Sequence, residues 1–359
     1  MKRATNVKTI EWLGETVRLI DQTKLPAELV HIETADYRVI AESIRRLEVR
    51  GAPAIGVAAA MGVALAALES SGEDSGAFRE RVREAAGVLG GTRPTAVNLA
   101  WALERMLAVL DESGGPNGEV AARLIEEAVS IFEEDRELSK RIGRNGAGLI
   151  DDGDGVLTHC NAGGLATAEY GTALAVIFTA VEDGKRVRAF ADETRPLLQG
   201  ARLTSWEFLE RGIDVTLLCD SAAASAMSRG WIDKVVVGAD RIARNGDVAN
   251  KIGTFPLALA AGHHGIPFYV AAPFSTLDAS VATGADIPIE ERAAEEVTDI
   301  QGVRVAPRGV GVYNPAFDVT PNELVSAIIT DAGVFRAPYG ESLFGDQRRL
   351  RLDSGPPYR

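Results

Sequence analysis

The sequence predicts an α/β protein in two parts: a mainly helical N-terminal domain that starts with a short β-hairpin, and a C-terminal domain built on a parallel sheet. Three observations carry this. Helix-length apolar patterns fill residues 35 to 150. Beyond residue 155, short β-branched or aliphatic runs alternate with helix-length, alanine-rich segments, the pattern of a parallel sheet with helical crossovers. At 359 residues the chain also exceeds what a single hydrophobic core ordinarily holds.

The elements follow in order. Ile10-Glu-Trp-Leu13, a Gly14-Glu15 turn and Val17-Arg-Leu-Ile20 read as the hairpin. Ala35–Leu47, Ala54–Leu68, Ala77–Leu89, Ala96–Leu110 and Val120–Ile150 read as helices, separated by Gly, Pro and Asp/Ser clusters such as Ser113–Gly118. Asp151–Gly155 ends the helical half. The domains are therefore 1–140 and 141–345, with a polar tail over 346–359.

In the second half five runs stop abruptly at polar residues. Gly155–His159 leads into Cys160, and Val187–Ala191 into Asp192-Glu193-Thr194-Arg195. Ile213–Leu218 leads into Cys219-Asp220-Ser221, Val235–Ala239 into Asp240, and Phe268–Ala272 into Pro273-Phe274-Ser275. Ligands of open α/β sheets bind beyond the carboxyl ends of the strands. Cys160, Glu193, Asp220, Asp240 and Ser275 are thus expected on one rim.

Composition excludes several classes. A formal net charge of −13 leaves no basic face for nucleic acid or for an anionic membrane. Residues 51–68 are uncharged, but they are rich in Ala and Gly and contain Pro53, so a buried helix of a soluble protein is expected rather than a membrane span. Met1–Asn6 has no apolar run behind its charges, so no secretory leader is expected. Two cysteines cannot build a disulfide framework, and the expected setting is the reducing cytoplasm. No GxGxxG follows a strand, no GxxxxGK[ST] exists, and HExxH and CxxC are absent. Neither a dinucleotide cofactor nor a metal is expected.

Three cationic elements precede helices: Arg50-Gly51-Ala52-Pro53, Thr92-Arg93-Pro94-Thr95 and Asn250-Lys251-Ile252-Gly253. A helix N-terminus favours an anion, so converging sites of this kind suit a phosphate. Each taken singly also reads as a surface ion pair. Thr158–Leu165 is a strand–loop–helix junction in which Cys160 either gains thiolate character near a helix N-terminus or serves as a small buried residue. Cys219 reads as the latter. Asp240, at the end of an apolar strand, is either a partly desolvated acid or a cap on the turn at 244–247.

Arg50–Gly56, Thr92–Thr95, Thr158–Gly163, Glu193–Gly200, Gly238–Ile242, Asn250–Gly253 and Ile287–Arg292 together resemble the methylthioribose-1-phosphate isomerase family. Its wider superfamily also holds ribose-1,5-bisphosphate isomerase and the regulatory subunits of translation initiation factor 2B. The resemblance implies a Rossmann-like C-terminal domain, a homodimer, and an aldose–ketose isomerisation of 5-methylthioribose 1-phosphate in methionine salvage. It implies catalytic roles for Cys160 and Asp240, and substrate contacts at Arg50, Gly51, Ala52, Arg93, Gln199, Asn250 and Lys251. In such a reaction Asp240 is the expected acid at the ring oxygen. Cys160 either takes the C2 proton or stabilises developing charge. Two alternatives stay open: another 5-substituted ribose 1-phosphate, such as the 1,5-bisphosphate, or a non-catalytic regulatory subunit.

Overall fold

The computed structural model describes residues 8–94 and 96–345, so the leader reading at Met1–Asn6, Thr95 and the tail over 346–359 lie outside the described residues. The chain divides into two compact units, one holding 8–139 with 163–171 and the other 140–162 with 172–345.

In the helical unit, strands β1 (Ile10–Trp12) and β2 (Val17–Ile20) form the expected hairpin, Ile10 facing Leu19 and Trp12 facing Val17. A third strand, β3 (His31–Thr34), adds antiparallel to β2. Its four residues carry no alternation strong enough to announce it. Helices α1 (Tyr37–Arg45), α2 (Ala52–Ser70), α3 (Ser75–Gly90), α4 (Val97–Glu112) and α5 (Asn117–Ala147) follow, and the division between the units falls within α5. Asp36 caps α1 by accepting from the Arg38 N–H, and Asp74 caps α3 by accepting from those of Gly76 and Ala77.

Helix α2 is the hub, packed against α1, α3 and α4. It is the one described helix long and apolar enough to cross a membrane, but 78% of that apolar stretch is buried among its neighbours. Alanine and glycine predominate because other helices press on it from several sides. A Cβ at Gly56 would come within 2.8 Å of the Asn98 carbonyl on α4.

The sheet unit is built on seven strands: β4 (Gly155–Thr158), β5 (Arg188–Asp192), β6 (Val215–Leu218), β7 (Lys234–Val237), β10 (Phe268–Ala271), β15 (Ala327–Thr330) and β16 (Gly333–Phe335). Their order is β16-β15-β10-β7-β4-β5-β6, parallel except for the antiparallel edge strand β16. Without β16 this is the 3-2-1-4-5-6 order of a Rossmann-type sheet. Helices α6 (Ala173–Glu182), α7 (Ser205–Glu210), α8 (Ala223–Ser228) and α9 (Thr254–His263) lie in the connections. A second sheet, not expected from sequence, joins β8 (Arg241–Ala243), β9 (Val248–Lys251), β11 (Leu277–Asp278) and β14 (Phe317–Thr320) in the order β11-β8-β9-β14. A two-stranded ribbon of β12 (Asp299–Ile300) and β13 (Val303–Arg304) follows the short helix α10 (Glu295–Thr298), and α11 (Tyr339–Phe344) ends the described chain.

One buried acid is built into the helical unit. Asp135 on α5 is 8% exposed and accepts the Ala168 N–H at 2.6 Å, which fastens the stretch 163–171 that also receives Thr9 Oγ1 and Gln22 Nε2 on its carbonyls. Burial pushes the Asp135 carboxyl up to about 6. Its folded value lies above the unfolded 3.8, so ionisation penalises the fold as pH rises from about 4 to about 6. Asp135→Asn should therefore raise stability at pH 7.5 by up to roughly 3 kcal/mol, and the gain should vanish near pH 4. Urea denaturation midpoints of the two proteins across that range check this.

Candidate functional site

From β4 the chain travels outward through β5 to β6, then returns to β7 on the other side of β4. Strand order therefore reverses between β4 and β7, the point at which crossovers run in opposite directions and leave a crevice beyond the carboxyl ends. Leu157 pairs with Val235 in parallel register. Continued past the strand ends, that register sets Cys160 level with Gly238, with Asp240 two residues further along the neighbouring strand's exit. The five rim residues follow β10, β7, β4, β5 and β6 in the sheet's order as Ser275, Asp240, Cys160, Glu193 and Asp220. At about 4.8 Å per strand the row spans roughly 19 Å.

Cys160 is half-buried and held in a left-handed backbone conformation at φ 63°. Its N–H donates to Thr194 Oγ1 at 2.8 Å, and its carbonyl accepts from Thr204 Oγ1 at 2.6 Å. Thr194 is left-handed as well, at φ 66°, and its own N–H donates to Asp220 Oδ1 at 2.7 Å. Each such non-glycine residue costs on the order of 1–3 kcal/mol, and the cross-strand hydrogen bonds offset that cost. No helix follows Cys160 directly. After Ala162 the chain departs over 163–171 and α6 begins only at Ala173, with the N–H groups of Thr172 and Leu174 turned onto the Ala162 carbonyl. The expected helix-terminus field at the thiol is therefore not supplied by the adjoining segment. Cys219 is exposed rather than buried, because it leaves β6, the edge strand of the sheet.

Asp240 also departs from expectation. Burial ends at Gly238, Ala239 is half-buried and Asp240 is exposed, so the expected desolvation is not met. The physical reason is a change of sheet: the Asp240 N–H donates to the Ala249 carbonyl at 2.9 Å and opens the β8–β9 hairpin. The turn at 244–247 is closed by Asn245 and Asp247 themselves, which takes the capping role away from Asp240.

Asn250 and Lys251 end β9. Asn250 is buried with Nδ2 donating to Thr254 Oγ1 at 3.0 Å, while the Lys251 ammonium lies 5.1 Å from the centre of the Phe317 ring. Among the described residues Lys251 has no carboxylate partner, whereas Lys234 faces both Asp151 and Asp154. The N-terminus of α9, expected to be open to an anion, is instead occupied. Asp318 Oδ2 accepts the Gly253 N–H at 2.8 Å and Oδ1 that of Phe255 at 3.1 Å. Burial, opposed by these two bonds, holds Asp318 above the ordinary carboxyl value. Gln199 is buried at the head of a π-helical turn over Gly200–Thr204, and its Oε1 makes no hydrogen bond among the described residues.

Arg50, Gly51, Ala52 and Arg93 belong to the helical unit; the other assigned residues belong to the sheet unit. Arg50 and Arg93 are both half-buried. Gly51 precedes α2 at φ 94°, and a Cβ there would lie 2.4 Å from the Ala166 carbonyl, so only glycine fits. Helix α4 starts at Val97 after Ala96, which leaves Pro94 outside it rather than in its first turn.

Sequence reasoning missed one buried pair. His159 and Asp192, 1% and 2% exposed, meet with Nδ1 3.0 Å from Oδ2. His159 Nε2 lies 2.9 Å from the Ile252 carbonyl, an acceptor only, so Nε2 carries the hydrogen. Burial pulls the imidazole down, but the Asp192 hydrogen bond and charge, the Ile252 carbonyl and the Asp220 charge outweigh it and hold His159 above its ordinary value. Burial lifts Asp192 too, against the hydrogen bond and charge of His159. Asp220 joins them within 4.8 Å, a grouping with metal-ligand chemistry. Its oxygens, however, each accept a backbone N–H at 2.7 Å, from Thr194 and Arg195, and His159 is committed on both nitrogens. We read the three as a hydrogen-bonded cluster.

A Rossmann-type sheet in which a thiol and a carboxylate follow the two strands at its switch point, with a lysine beyond β9 that has no carboxylate partner among the described residues, has the form of a small-molecule enzyme of the α/β class. The model of the initiation factor 2 subunit family matches residues 48–337. Methylthioribose-1-phosphate isomerase of Desulforudis audaxviator is 57% identical over 337 residues, 94% of this chain and 97% of that protein. The solved 5-methylthioribose 1-phosphate isomerase of Pyrococcus horikoshii OT3 is 44% identical, with a TM-score of 0.91 and 96% of each chain covered. A structure titled translation initiation factor eIF-2B, subunit delta, from A. fulgidus is 48% identical, with a TM-score of 0.88, over 96% of this chain and 100% of that one. The chain belongs to the initiation factor 2 subunit family and, within it, to the methylthioribose-1-phosphate isomerases.

Removing the Asp318 carboxylate should fray the start of α9. Asp318→Ala should cost about 0.5–2 kcal/mol, the range for a lost helix cap, and speed hydrogen exchange at Gly253 and Phe255 over the rest of α9.

Proposed function

We propose that this chain converts 5-methylthioribose 1-phosphate to 5-methylthioribulose 1-phosphate, an aldose–ketose isomerisation in methionine salvage. The observation that carries the reading is the pairing of Cys160 and Asp240 at the exits of β4 and β7, in a chain 57% identical to a protein named for that activity.

The substrate's phosphate is esterified at C1, so the ring cannot open to a free aldehyde. Asp240 serves as the acid: it protonates the ring oxygen as the bond from that oxygen to C1 breaks, the bonding pair going to oxygen. Cys160 takes the C2 proton, and the C–H pair becomes the C1–C2 double bond. Return of a proton to C1 and loss of the C2 hydroxyl proton then give the ketone, so atoms and electrons balance without a cofactor. Exposure of Asp240 suits exchange of its proton with solvent between turnovers. Lys251, without a carboxylate partner among the described residues of a chain of net charge −13, is the natural counter-charge for the phosphate. Buried Gln199 brings an acceptor without a partner among the described residues, the kind of group a sugar hydroxyl satisfies. Arg50, Gly51, Ala52, Arg93 and Asn250 complete the proposed contacts. A cytoplasmic homodimer is part of the same reading, and sedimentation of the purified chain tests the dimer.

The name carried by the A. fulgidus structure favours one second reading, a regulatory subunit without turnover. The purified chain, assayed alone with product identified by NMR, separates the two. Cys160→Ser and Asp240→Asn should each lower kcat by at least about a hundredfold, and near-wild-type turnover removes that residue from the chemistry. With Cys160 as base, product formed in D2O carries deuterium at C1; protium retained there would assign a direct hydride shift from C2.

A further inference from the structure

The buried pair beside Cys160 has no part in the chemistry above, yet it touches both ends of the proposed site within the sheet unit. We infer that His159 and Asp192 are positioning residues, clasping the segment that carries the thiol to the segment that carries the phosphate-binding lysine. The inference deepens the isomerase reading and rests on it.

Three chain segments meet at this clasp. The first is the exit of β4, where His159 is the immediate neighbour of Cys160. The second is the exit of β5: the Asp192 carbonyl accepts from Thr194 Oγ1 at 3.0 Å, and that same oxygen accepts the Cys160 N–H at 2.8 Å. The Asp192 backbone therefore fixes Cys160 from one side, while its carboxyl holds the neighbouring His159 at 3.0 Å. The third is the link from β9 to α9, where the Ile252 carbonyl, one residue beyond Lys251, receives His159 Nε2 at 2.9 Å.

The third contact is built for closeness. Gly253 adopts φ 102°, and a Cβ there would lie 2.8 Å from His159 Cε1 and 2.9 Å from Nε2. Any other residue would push the imidazole off the Ile252 carbonyl. Asp318 holds the same link from its far side through the Gly253 N–H. An imidazole suits the task because its two nitrogens reach opposite partners with one rigid ring between them. Neither His159 nor Asp192 is open to substrate, since both are almost wholly buried. They act through Cys160 and Lys251, by keeping thiol and anchor in one frame.

The two halves of the clasp can be cut separately. Asn in place of His159 puts its amide near the Nδ1 position and keeps an Asp192 contact, whereas Gln reaches toward the Nε2 position and keeps a donor for Ile252. His159→Asn should raise KM at least about fivefold with kcat within about threefold of wild type, because the Lys251 segment is released. His159→Gln should do the reverse, lowering kcat at least about tenfold with KM little changed, because Cys160 loses its support. Asp192→Ala, which removes the Nδ1 partner and leaves a neutral imidazole on Ile252, should follow His159→Gln and decides the matter if the His159 variants fail to fold. Equal changes in kcat and KM across the variants, or no change in either, would overturn the proposal.

A readout independent of turnover separates this inference from the isomerase reading. In a Cys219→Ser background, iodoacetamide should alkylate Cys160 at a rate altered at least about threefold by His159→Gln or Asp192→Ala, and unaltered by His159→Asn. Altered alkylation in a chain with no isomerase activity would retain the clasp and discard the reaction. Full wild-type activity with unaltered alkylation and kinetics in the variants would do the opposite.

Discussion

The reversal of strand order at β4 is the constraint on which the rest of the sheet unit depends. A parallel sheet built outward in both directions from its first strand must send its crossovers apart at that strand. Cys160 and Asp240 are the residues that leave β4 and β7 on either side of this divergence. Backbone polar groups at the exits have no ladder partners, so side chains must satisfy them, and the exits fill with Thr, Asp and Asn. Thr194, Thr204, Asp220 and Asp318 all serve in that way.

The same requirement explains why the rim is rigid rather than loop-like. Left-handed backbone at Cys160 and Thr194 would relax if the Cys160–Thr194 bond between the exits of β4 and β5, or the Thr194–Asp220 bond between those of β5 and β6, were missing. The strain persists because the strands beneath are fully buried and cannot shift: Val156, Leu157, Ala191 and Val235 are each wholly or almost wholly inaccessible. Precision at the thiol is thus inherited from the packing of the sheet.

Much of this was legible in the residues, and the failures have physical causes. Five of the six parallel strands announce themselves, four of them (β4, β5, β7 and β10) because burial demands continuous apolar runs, and each run ends where the rim begins. Helix α2 was legible as a buried core helix from its alanines and glycines. Strands β8, β9 and β14 were not: they are short, and their pairing is settled by partners distant in sequence, such as Phe317 against Lys251. The exposure of Asp240 follows from that hidden second sheet, which draws the chain away as soon as β7 ends. The departure of 163–171 into the helical unit was invisible for a related reason, since its anchors Thr9, Gln22 and Asp135 are far away in the chain. His159 and Asp192 stood in plain view at strand ends, but nothing local says that they meet. Only the parallel register of β4 and β5, with Thr158 beside Ala191, brings the next residue of each strand together.

Electrostatics divides the labour within the sheet unit. Repulsion between a phosphate and a chain of net charge −13 is screened beyond about 8–10 Å, so local charges decide whether an anion is held. With the N–H groups of Gly253 and Phe255 already given to Asp318, the terminus of α9 has little left to offer, and in the proposed site attraction within this unit falls to the Lys251 ammonium. An ammonium on a flexible stem is a point charge that binds without dictating orientation. Orientation must then come from elsewhere: from the Phe317 ring against which the ammonium rests, and from the backbone at Ile252 that His159 holds. In the proposed site, affinity is then assigned to a lysine side chain and geometry to a buried cluster, a role that suits a histidine with both nitrogens committed.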